Sequence, residues 1–151
     1  MKKTILLGLS VFLFWSCNNS SEKSATHQQE ETHATHHHEE SSEAIELNNG
    51  EKWVVNNEMK PFVSKGAELV YVYVQENKTD FKELATQLKD QNNQLVKSCS
   101  MNGKSHDELH KWLHPHLELV KELENESNAT KASEIIAQLQ YSYLQYHKYF
   151  N

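Results

Sequence analysis

Three histidines, His106, His110 and His114, follow one another at intervals of four. In a helix that spacing lines their imidazoles along one stripe, and an i, i+4 pair can grip one metal ion from a single helix. Other donors cluster in the chain nearby or fall at corresponding positions: Cys99-Ser-Met101 just ahead of His106, Met59 far upstream and His147 near the end. Thiolate, thioether and imidazole together favour a soft or borderline ion, Cu(I) first and Zn²⁺ second. A His-Glu-x-x-His protease motif is absent, because Asp107, Glu108 and Leu109 lie between His106 and His110. The competing reading of His110 and His114 is a solvated helix edge. Cys99 is equally open to two readings, a ligand or a small buried hydrophobe.

His116 belongs to a different class. It falls in the middle of an apolar stripe, among Trp112, Leu113 and Val120, so it reads as a core histidine first and a ligand second. A buried imidazole needs partners for both nitrogens, and Asn92 is a candidate for one. Pro115 beside it removes one backbone hydrogen bond and predicts a kink.

The elements that must position these residues are four. The chain has 151 residues with only 4 Gly and 2 Pro, too few for a turn-rich β fold or a glycine-rich phosphate loop. Leu47-Asn-Asn-Gly50 predicts a turn and Trp53-Val54-Val55 an extended lead-in. A first helix, capped by Asn57 or Glu58, carries Met59, Phe62, Val63, Gly66, Val70, Tyr73 and Val74 on one face. Thr79 caps a second with Phe81, Leu84, Ala85, Leu88, Leu95 and Cys99. Ser105-His-Asp-Glu108 reads as a capping box for a third, which buries Leu109, Trp112, Leu113, Leu119, Val120 and Leu123. A fourth carries Ile135, Ile136, Leu139, Tyr143, Tyr146 and Phe150. Short linkers make neighbours antiparallel, so the expectation for residues 44–151 is an all-α, up-down-up-down four-helix bundle.

That topology gathers Met59, Cys99, Met101, His106, His110 and His147 at one end. The opposite end, residues 74–80 and 123–132, has no His, Cys or Met. The sequence therefore predicts a transition-metal site, Cu or Zn, at the first end.

Residues 1–16 read as a leader: Met-Lys-Lys, an apolar run from Thr4 to Trp15, then Ser16. With Cys17 the segment resembles the lipobox of bacterial lipoproteins, in which the cysteine becomes the acylated first residue. Removing Lys2 and Lys3 with the leader takes the net charge from −6 to −8. By the same resemblance, Asn18 after the cysteine implies lipid anchoring at the outer membrane, facing the periplasm or the cell surface. Residues 17–43 hold almost nothing apolar and predict a disordered tether. Its five His include His33, His36, His37 and His38, and among six Glu they make a loose metal collector or simply a polar spacer.

The bundle also resembles, in architecture, the periplasmic four-helix b-type cytochromes. That resemblance implies haem held by a Met near the start of helix one and a His near the end of helix four, here Met59 and His147. No Cys-x-x-Cys-His occurs, so covalent haem attachment is excluded. The domain is similar, too, to the small helical lipoproteins of outer-membrane bacteria, a likeness that assigns no chemistry. An acidic chain with 15 Lys and no Arg is a poor nucleic-acid binder. No nucleophile elbow, phosphate loop or acid pair is present, so the expectation is a non-enzymatic protein. It would buffer the ion or hand it to an envelope metal transporter, with a cofactor-free structural or partner-binding role as the remaining alternative.

Overall fold

The computed structural model describes residues 44–151. The expected leader, the tether, Cys17 and the histidines at 33 and 36–38 lie outside the described residues. Those described are all-α, with α1 Lys60–Gln75, α2 Phe81–Ser98, α3 Gly103–Asn125 and α4 Ala129–Tyr149. Each helix packs on the next, and α1 packs on α4 to close a four-helix bundle. None of these helices is long and apolar enough to cross a membrane.

The core follows the apolar stripes. Val63 and Val70 of α1 meet Leu84, Leu88 and Leu95 of α2, Leu109, Leu113 and Leu123 of α3, and Ile136 and Leu139 of α4. Val74, read as core, lies at the surface, beyond the last buried turn of α1. Gly66 of α1 lies against the Tyr143 side chain of α4. A Cβ there would run into the Tyr143 hydroxyl and lie 3.0 Å from the ring carbon that bears it, so glycine is required for the tyrosine to fit.

Helix ends follow chemistry that differs in detail from the sequence reading. Met59, not Asn57 or Glu58, is the N-cap of α1, with Pro61 in the first turn, where a missing N–H is harmless. Asp80, not Thr79, caps α2, its carboxylate accepting from the Glu83 amide at 2.9 Å. Helix α3 begins earlier than a capping box at Ser105 requires. Gly103, at φ +63°, turns the chain into it, and Ser105 Oγ donates back to the Asn102 carbonyl. Asn128 caps α4 by accepting from the amides of Thr130 and Lys131. Helix α3 runs unbroken through Pro115, which is exposed.

The lead-in has a partner that periodicity did not reveal. Asn49 and Gly50, both at positive φ, make a tight turn closed by mutual bonds between Asn48 and Glu51. Beyond it, the Trp53 amide donates to the Tyr149 carbonyl at 2.8 Å, and the Asn151 amide donates to the Trp53 carbonyl at 3.1 Å. The start and the end of the described chain are thus joined in parallel at the pole where α1 begins and α4 ends.

Candidate functional site

Helix α3 presents histidine on two faces. On one edge, the rings of His106 and His110 lie 4.2 Å apart between centroids, and those of His110 and His114 lie 4.7 Å apart. His106 and His110 are half-buried and His114 is exposed. The i, i+4 spacing produces this row directly: four residues turn the helix by 400°, so each imidazole sits one turn above the last. Either neighbouring pair is close enough for two metal–nitrogen bonds of about 2.0–2.1 Å to span after ring rotation. The two ends of the row are separated by eight residues, a rise of roughly 12 Å, too far to share one ion.

Met59 is fully buried in the core. Cys99, a free thiol at the C-cap of α2, and Met101 are half-buried and pack against that core. His147 is exposed, its ring edge-on to Tyr146 at 5.4 Å. Among the described residues no group of three or more His, Cys, Asp and Glu side chains could hold a metal ion. No cup joining Cys99, His106, His110 and His147 is present among the described residues, although all four lie toward one pole of the bundle. Of the haem pair, Met59 is buried in the core and His147 lies at the surface.

On the inner face of the same helix His116 is completely buried. Its ring stacks on Trp112 at 4.9 Å and meets the edge of Tyr143 at 4.7 Å. Nδ1 is hydrogen-bonded to Ser142 Oγ at 3.0 Å, the donor depending on the tautomer. Trp112 Nε1 donates to the carbonyl of that same Ser142 at 2.9 Å, so one residue of α4 anchors both rings. Nε2 is buried with no hydrogen-bond partner, as are Asn92 Nδ2 and Tyr146 Oη. Ser142, and not Asn92, thus supplies the partner, and only one ring nitrogen is satisfied. Desolvation lowers the His116 pKa to about 4, so the ring is neutral at physiological pH. Burial likewise raises the Tyr143 and Tyr146 hydroxyls, which stay protonated.

Glu108 is the functional-looking residue the capping-box reading misplaced. Its carboxylate is buried, accepting from the Glu46 amide at 2.8 Å and from Lys111 Nζ at 2.9 Å. Trp53 Nε1 then donates to the Glu46 carbonyl at 2.7 Å, fixing the lead-in to α3. Burial pushes the Glu108 carboxyl up, but the Glu46 amide and the Lys111 ammonium outweigh it, so the net shift is downward. No local pattern announces such a latch, since 62 residues separate donor from acceptor.

Compared with known proteins, the chain matches no family model, no curated protein and no solved structure.

Proposed function

We propose that this chain is a non-enzymatic lipoprotein, anchored at the outer membrane through Cys17, that binds a transition metal for buffering or handover. The observation that carries the reading is the row His106–His110–His114, with adjacent rings 4.2 and 4.7 Å apart on an accessible edge of α3. Met59 lies in the core, and the row itself offers imidazoles alone. Imidazole suits borderline divalent ions, so the preferred ligands become Zn²⁺ and Cu²⁺ and not Cu(I). Two ligands from each chain make an exchangeable site, which suits handover to an envelope transporter better than permanent storage. The histidines of residues 17–43 act as a separate, looser collector.

Calorimetric titration of the full chain with Zn²⁺ and Cu²⁺, backed by elemental analysis of the native protein, tests this. The expected result is binding in the micromolar range or tighter, weakened about tenfold or more by His110→Ala, since losing a ligand costs at least what losing an outer-shell partner does. Affinity should also weaken on acidification, because proton and metal compete for one nitrogen lone pair. Binding weaker than micromolar, or unchanged in His110→Ala, rejects the row as a site and favours a purely structural or partner-binding role. A Soret band on adding haem, lost in Met59→Ala, would instead support the cytochrome-like alternative.

A further inference from the structure

Resting on the metal reading above, we infer that the ion at the α3 row is completed by a second copy of this chain, making a metal-dependent dimer. The argument is one of ligand number. Zn²⁺ in a closed protein site takes four ligands, and the row offers one ion two, His110 with either His106 or His114. Among the described residues no carboxylate or thiol adds a third. Two copies related by a twofold axis each bring the same pair, and four imidazoles close the tetrahedron.

The surface around the row permits that approach. Glu118, beside the row, is paired with Lys121 at 3.0 Å, so that flanking charge is largely neutralised within each chain. Asp107 stands beside His106 in sequence and, on a chain of net charge −6, adds attraction for a divalent cation. The ion's own positive charge offsets the repulsion between two acidic copies. His114 is exposed, and a helix edge is convex enough for two α3 helices to cross at a shallow angle.

The test is sedimentation velocity of the full chain over a range of protein concentrations, with and without Zn²⁺, alongside calorimetry on the same samples. A second variant, with Ala at 27, 33 and 36–38, removes the histidines of the N-terminal segment. The expected result is a mass that doubles with Zn²⁺, reverts with chelator, and saturates at one ion per two chains in that second variant. His110→Ala, a surface change whose folding is checked by circular dichroism, should abolish the doubling. A monomer that binds one Zn²⁺ per chain, and loses it in His110→Ala, overturns the dimer and leaves the metal site standing. Doubling that survives His110→Ala, or that vanishes with the N-terminal histidines, also overturns it. Absence of Zn²⁺ binding at the row overturns both readings together.

Discussion

Helix α3 carries four histidines, and its two faces put them to opposite uses. His106, His110 and His114 line one edge, half-buried to exposed, with adjacent rings 4.2 and 4.7 Å apart. His116, two residues further on, lies 200° around the helix, fully buried against Trp112 and Tyr143. The row gains from being accessible; the buried ring depends on staying neutral. A register change of two residues is enough to turn an exposed imidazole into a core residue.

That contrast is sharpest in acid. The folded pKa of His116 is about 4 against an ordinary 6.5, so the folded state prefers the neutral ring. Its contribution is complete above 6.5, falls as pH drops through the window from 6.5 to about 4, and does not change further below that. At 1.36 kcal/mol per unit the loss is about 3 kcal/mol. Chemical denaturation between pH 7 and pH 4 should show it, and His116→Leu should flatten the slope in that window. An unchanged slope would mean that the buried ring is not what acid attacks.

The Glu108 latch gives the next largest effect, and it sits on a different edge of α3 from the row. Glu108→Ala removes the acceptor shared by the Glu46 amide and Lys111, and the expected loss is about 2 kcal/mol, below a fully buried pair because Lys111 is 17% exposed. The folded carboxyl is held below its ordinary value, so its contribution is present at neutral pH and is lost as pH falls through the carboxylate range. Urea unfolding at pH 7 against pH 3 separates it from His116: Glu108→Ala should matter at the first pH and little at the second.

Gly66→Ala probes the packing behind His116. The added methyl would meet the Tyr143 side chain, and overpacking of this kind costs about 1–3 kcal/mol. Tyr143→Phe in the same chain should recover part of the loss, because the hydroxyl is the atom in the way. Additive losses in a thermal melt would show that the contact is not shared.

The smallest effect belongs to the outer face. His114→Ala, at an exposed site, should change stability by no more than about 0.5 kcal/mol. If it destabilises as much as a core change, the row is structural and the contrast between the faces is lost.

Much of this was legible beforehand, for physical reasons that differ by element. The four stripes were readable because burial repeats with the helical period, and they name nearly every core residue from Val63 to Phe150. The assignment of Met59, Cys99, Met101 and His147 to one pole was sound, but position along a helix says nothing about direction around it. Met59 follows the apolar stripe inward, and His147 falls one residue beyond Tyr146, outside it. The caps missed by one residue at α2 and by three at α3, since Thr79 and Asp80 are both good caps and Gly103 begins the turn unaided. Glu108 was misread because its partner is the backbone of Glu46, brought in by the lead-in and not by any neighbour in sequence. The neighbouring of the His106, His110 and His114 rings was, like the stripes, legible from spacing.

The pairing of Trp53 with Phe150 has a topological consequence. With its two extremities sutured side by side, the bundle is nearly a closed ring of backbone, and the place where it is cut becomes arbitrary. Fresh ends opened between Glu126 and Asn128, with a short bridge from Asn151 back to the residues ahead of Trp53, should assemble the same four cylinders in rotated order.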